Sequence, residues 1–156
     1  MSEPLGFLIT WTTYGTWLPG DRRGWVTEKE SGIQAPNPRR ETAARRKLVS
    51  PPFILNEDQR RIAEATIRRH CEIRGWHLHA VNVRSNHVHI VVSADVAPET
   101  IMEQFKAWCS RRLSEASPHH PNAGPPPKWW TEHGSTKWIN DEAYLTNAIR
   151  YVLEQQ

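Results

Sequence analysis

Two pairs of histidines stand one residue apart in this chain, His77-Leu78-His79 and His87-Val88-His89. Both fall in segments of strand composition, where residues i and i+2 point to the same face, so either pair can turn two imidazoles toward one ion. With eight histidines in the chain, chance alone supplies about 0.4 such pairs, so spacing by itself does not choose between them. A third feature lies near the C-terminus. Tyr151 and Gln155 are four apart, which on a helix puts a phenol and an amide oxygen on one face about one turn apart. Tyr14 and Tyr144 have Leu18 and Ala148 at that spacing. Taken without the rest of the chain, Tyr151 reads as half-buried packing and Gln155 as a solvated helix end.

These residues need elements to hold them. Phe7 to Thr13 is rich in β-branched and aromatic side chains and predicts a first strand, ended by Tyr14-Gly15. An irregular, proline-bearing stretch to about Pro52 predicts a long, partly mobile surface loop. Asn56 is placed to cap a helix from Glu57 to Arg74, with Ile62, Ala65 and Ile73 on one face and Gly75 as its stop. Strand composition over Trp76–Val83 and His87–Ser93, with turn chemistry at Arg84-Ser85-Asn86, predicts a hairpin in which Val88, Ile90 and Val92 enter the core. Pro98 opens a second helix to about Ala116, with Ile101, Phe105, Trp108 and Leu113 at helical spacing. Pro118 to Pro127 reads as a loop, and Lys128 to Ile139 as a small hairpin split at His133-Gly134. Asn140 or Asp141 caps a final helix, where Leu145, Ile149, Val152 and Leu153 carry the packing and leave Tyr151 free. The order predicts one α+β domain over residues 1–156: a ferredoxin-like antiparallel sheet with helices packed on one face, the second histidine pair on a central strand and Tyr151 on the C-terminal helix.

Composition narrows the partners. No run of 18 apolar residues and no basic-then-apolar leader are present, so the expectation is a cytoplasmic protein that does not engage a membrane. Cys71 and Cys109 match no zinc or redox spacing and read as ordinary buried thiols. The net charge of +3 is mild, but arginines cluster in doublets, whose planar forks suit phosphates. Arg22, Arg23, Arg45, Arg46, Arg111 and Arg112 are the candidate nucleic-acid contacts, and exposed members of the eight tryptophans can stack on unpaired bases.

The segment Ser85-Asn86-His87-Val88-His89-Ile90-Val91-Val92, followed some sixty residues on by Ile149-Arg150-Tyr151-Val152-Leu153-Glu154-Gln155, resembles the single-tyrosine HUH transposases. The likeness is to the insertion-sequence-200-like group and its relatives, the REP-associated tyrosine transposases, and it spans most of the chain. It implies His87, His89 and Gln155 as ligands of a divalent ion, Mg²⁺ or Mn²⁺, and Tyr151 as nucleophile. It also implies single-stranded DNA with hairpin elements as partner, and it leaves a homodimer open, the final helix serving its own site or a partner's. Two departures stand out: Arg84-Ser85 where the group often has Met-Pro, and Glu154-Gln155 where REP-associated members often have Asn-Pro after the tyrosine. Three other readings compete: a zinc hydrolase with no use for Tyr151, a non-catalytic nucleic-acid module on the same fold, and a domesticated transposase relative acting on dispersed host repeats.

Overall fold

Burial alternates along Gly6–Thr13, turning Phe7, Ile9 and Trp11 to one side and Leu8, Thr10 and Thr12 to the other, as a strand in a sheet requires. This is strand β1. The structure is a computed structural model that describes residues 3–25, 32–48, 52–117 and 128–154. Helices α1 (Pro38–Arg46) and α2 (Glu57–Arg74) follow, then strands β2 (His77–Val83) and β3 (His87–Ser93), helix α3 (Pro98–Ala116), strand β4 (Trp130–Ile139) and helix α4 (Glu142–Glu154). The strands form one antiparallel sheet in the order β2-β3-β1-β4. That is the ferredoxin-like order expected of a β-α-β-β-α-β chain, and it makes β3 and β1 the central strands.

Local chemistry sets the helix ends. Asn56 accepts from the Gln59 amide and the Gln59 side chain accepts from the Asn56 amide, a capping box, and Gly75 closes α2 at φ 74°. Asp141 caps α4 by accepting from the Tyr144 amide at 2.7 Å. The buried stripe of α2 is Ala63, Ile67, His70 and Cys71; Ala65 and Ile73 of the expected face are exposed, and Ile62 is half-buried. In α4, Ala148 and Val152 are buried, whereas Leu153 is exposed.

Helices α2 and α3 cover one side of the sheet. Phe7, Ile9, Trp11, Val88, Ile90 and Val92 meet Ile67, Ile101, Phe105 and Leu113 there in one cluster, each such side chain contributing about 1.5–3 kcal/mol on burial. Cys71 and Cys109 are buried free thiols of the same layer. Helix α4 lies on the other side, where Ala148 and Val152 pack on Ala80, Val91 and Ile139. The expectation of helices on one face therefore holds for α2 and α3 and not for α4. The reason is visible in β3, whose residues Val88 to Val92 are all buried, as in a strand covered on both faces rather than one.

Two further differences concern loops. Within the stretch expected to be irregular, Asn37 accepts from the Arg40 amide and Pro38 occupies the first turn, so α1 forms. The aromatic stretch expected to fold as a small hairpin is a single strand, β4, paired with β1 from Gly6↔Ile139 to Thr13↔Trp130. Gly134 sits mid-strand because any side chain would collide: a Cβ there would lie 2.7 Å from the Thr10 carbonyl and 2.6 Å from Met102 Sδ. The expected loop Pro118–Pro127 lies outside the described residues.

Candidate active site

On the α4 side of the sheet, β3 presents His87 and His89. Register places Thr12 beside His87, and Thr10 and Asn82 on either side of His89. Each ring is held by its Nδ1. His87 Nδ1–H donates to Asn86 Oδ1 at 2.6 Å, and His89 Nδ1 lies 3.0 Å from Thr10 Oγ1, which can accept its proton. His87 so held keeps its Nε2 lone pair, and His89 keeps its own when Thr10 accepts, the tautomer that a metal-binding histidine needs. The ring centroids are 4.7 Å apart.

Electrostatics keeps the pair neutral. Burial, and then the neighbouring His87, push His89 down to about 4, since charging a buried ring costs its hydration. His87 is lowered as well, first by burial and then by the charges of Arg84 and Arg23. Proton competition for the two nitrogens is therefore weak at neutral pH.

Tyr151 comes to this pair from α4. Val152 is fully buried and its carbonyl accepts from Asn82 Nδ2 at 2.9 Å, which ties the last turns of the helix to β2 beside His89. Its neighbour Tyr151 is thereby turned outward, 48 % exposed, yet its ring meets His89 edge-on with centroids 5.6 Å apart. A phenol near two neutral imidazoles and open to a large substrate is an arrangement suited to nucleophilic attack on an ester. Gln155 lies outside the described residues. Among the described residues, no set of three or more His, Cys, Asp and Glu is gathered as for a metal.

The other histidine pair occupies the opposite end of the same sheet face, with His77 paired to Ser93. Its rings are 4.3 Å apart. His79 Nε2–H donates to Ser93 Oγ at 2.7 Å, and the Ser93 hydroxyl donates in turn to the Leu5 carbonyl. Burial, and then His77, lower His79.

The arginine candidates separate by position. Arg23 joins Asp21 at 2.7 Å and, with Arg84, acts on His87 through its charge. Arg22 is exposed next to it, and Arg45 and Arg46 are exposed on α1. Arg111 and Arg112 lie over Trp108 on α3, in the layer on the far side of the sheet from Tyr151. Thr10, Asn82 and the ring-orienting role of Asn86 escaped sequence reasoning, because only strand pairing brings the first two beside His89.

The model of the family "Transposase IS200 like" matches residues 45–155. The chain belongs to this family. It is thus an IS200-like transposase, a protein of DNA transposition. A solved structure from Deinococcus radiodurans R1, provisionally described as a transposase, is 14 % identical over 100 % of this chain and 94 % of that one, with a TM-score of 0.49. No curated protein matches the sequence. Among the described residues of this IS200-like transposase, no helix is long and apolar enough to cross a membrane.

Proposed function

We propose that this transposase cuts and rejoins single-stranded DNA through a 5′-phosphotyrosine bond to Tyr151, with a divalent ion, Mg²⁺ or Mn²⁺, held by His87, His89 and Gln155. The observation that carries this reading is the edge-on contact of the Tyr151 ring with His89, made by an exposed phenol beside a neutral histidine pair. The donor set fits such an ion. Nδ1 of each ring is engaged by Asn86 or Thr10, which leaves two Nε2 lone pairs, and neutral ligands leave the ion its full charge.

When bound, the ion would polarise the oxygens of the scissile phosphate. Everything else falls to the chain. Asn86 and Thr10 hold the imidazoles in one tautomer and one orientation. Val152 and Asn82 fix the last turns of α4, so that the Tyr151 phenol is delivered to the edge of the histidine pair. Attack by the Tyr151 oxygen on phosphorus forms the Tyr–O–P bond and breaks the P–O3′ bond; the phenol gives up its proton and the departing 3′ oxygen gains one. Because the ester keeps the energy of the broken bond, a 3′-hydroxyl attacking it restores Tyr151 and joins strands without ATP. Hairpin-bearing single strands are the proposed substrate, and a homodimer is compatible with the same chemistry.

The test is to incubate the protein with labelled single-stranded oligonucleotides carrying short hairpins, with Mg²⁺, with Mn²⁺, or with EDTA, and to resolve the products on a denaturing gel. The expected result is a metal-dependent covalent protein–DNA adduct that Tyr151→Phe does not form. Cleavage that survives Tyr151→Phe would point to a metal-bound water instead and overturn the reading.

A further inference from the structure

The turn after β1 is built more tightly than a connection needs, and it abuts the candidate site. The Asn86 carbonyl, one residue before His87, accepts from the Thr13 amide at 2.9 Å and lies 3.5 Å from the Thr16 hydroxyl. The Thr16 carbonyl in turn accepts from Arg23 Nη2 at 2.6 Å. Asp21 is buried and accepts from the Arg23 amide, Nε and Nη2 at 2.7–2.8 Å. The guanidinium so fixed lies over the Trp17 ring, 3.9 Å from its centroid. Trp17 Nε1 is anchored on the Gly24 carbonyl at 2.6 Å, and Gly24 has φ 92°, a conformation that favours glycine. Trp17 is nevertheless 38 % exposed and belongs to neither core cluster.

An indole held at its polar edge, backed by a fixed guanidinium and open to solvent supplies what an unpaired base needs: a rigid π-face and a nearby positive charge. The other tryptophans are placed differently. Trp11 is buried in the sheet core, Trp25 and Trp129 are buried, and Trp138 pairs with Phe7 near the Ser93 end of the sheet. Trp76 and Trp108 lie in the α2–α3 layer, and half-buried Trp130, opposite Thr13, packs edge-on against Trp11 and spends its Nε1–H on the Lys106 carbonyl. Trp17 alone among the exposed indoles is linked to the His87 end, through Thr16 and Asn86.

We infer that Trp17, backed by Arg23, is a base-stacking platform that grips an unpaired nucleotide of the single strand next to the phosphate presented to Tyr151. The inference rests on the proposed single-strand function. It adds a specificity element: selection for a base that is out of a helix at a fixed distance from the cut. Duplex DNA, whose bases are already stacked on each other, gains nothing from the platform.

The experiment measures binding, not cleavage, so that it can fail separately from the proposed chemistry. Fluorescein-labelled single-stranded oligonucleotides with a hairpin, and a blunt duplex of the same length, are titrated with wild-type, Trp17→Ala and Trp17→Phe protein, and anisotropy is read. Melting curves establish that each variant is folded. Trp17→Ala is expected to raise Kd for the single strand about tenfold and to leave duplex Kd unchanged; Trp17→Phe, which keeps a ring, is expected to recover most of the loss. Equal single-strand Kd for wild type and Trp17→Ala would overturn the inference. So would a Trp17→Phe as impaired as Trp17→Ala, since that result would trace the effect to the Nε1 anchor rather than to stacking. Should Trp17→Ala fail to melt cooperatively, Trp17→Leu, which keeps apolar bulk without a ring, takes its place: a raised single-strand Kd with duplex Kd unchanged supports the platform, and an unchanged single-strand Kd contradicts it.

Discussion

Two His-x-His pairs lie on neighbouring strands of one sheet face in this transposase, and the partners of their ring nitrogens differ. His87 and His89 have their Nδ1 atoms engaged by Asn86 and Thr10, so that the Nε2 atoms are the ones turned to other partners, and an exposed tyrosine from a separate helix meets His89. At the other end, His79 spends its Nε2–H on Ser93, which is itself committed to the Leu5 carbonyl. The first pair is the one the proposed ion would use; the second closes a hydrogen-bond chain that ties the segment before β1 to β2 and β3. Identical spacing thus leaves the ring nitrogens with different partners, and those partners decide what each pair can hold.

The largest expected contrast comes from replacing each pair in turn. His87→Ala with His89→Ala should lower metal-dependent adduct formation by at least about a thousandfold, whereas His77→Ala with His79→Ala should leave Mn²⁺ affinity within about twofold, given the additivity of separated sites. Calorimetric titration of Mn²⁺ alongside the gel assay reads both. Equal losses from the two replacements would erase the distinction.

A smaller effect tests the orienting groups. Asn86→Ala or Thr10→Val removes the acceptor that holds a ring, and each should weaken Mn²⁺ binding about 10–100-fold without removing a ligand. Ser93→Ala, the corresponding change at the other pair, should act on melting temperature and not on Mn²⁺ affinity.

Smallest is the acid dependence of stability in metal-free protein. His89 has an ordinary value of 6.5 and is held at about 4 in the fold. Below 6.5 the unfolded chain therefore takes up a proton that the folded one resists. Stability should be full above pH 6.5 and fall as pH drops toward 4, by up to about 3 kcal/mol from this residue. Thermal melts between pH 7.5 and 4.5 should show the decline, and His89→Gln should flatten it more than His79→Gln, because His79 is less deeply buried. A profile indifferent to His89→Gln would contradict a neutral, buried His89.

Much of this was legible in the sequence where the signal is local. Asn56 and Gly75 bracket α2, Pro98 opens α3, and Arg84-Ser85-Asn86 turns the hairpin, since caps and turns act within a few residues. His87, His89 and Tyr151 stood out by spacing and by resemblance, and the fold brings them together. What could not be read is non-local. A helical stripe such as Ala148 and Val152 predicts burial but not which face of the sheet it covers; the run Val88–Val92 carried that information and reads equally as a strong strand. Helix α1 was hidden among prolines, although Asn37-Pro38 is a capping sequence. Thr10 and Asn82 carry no motif, and become neighbours of His89 only through the register of three strands.

The central claim is that the Tyr151 oxygen, beside His87 and His89, becomes bonded to DNA. The direct measurement is mass spectrometry of nuclease-trimmed, protease-digested adduct, to find which residue carries the remaining nucleotide. A 5′-linked nucleotide on the peptide holding Tyr151, formed only with Mg²⁺ or Mn²⁺, is the predicted result. A nucleotide on Tyr14 or Tyr144, or strand cleavage that leaves none on the protein, would contradict it.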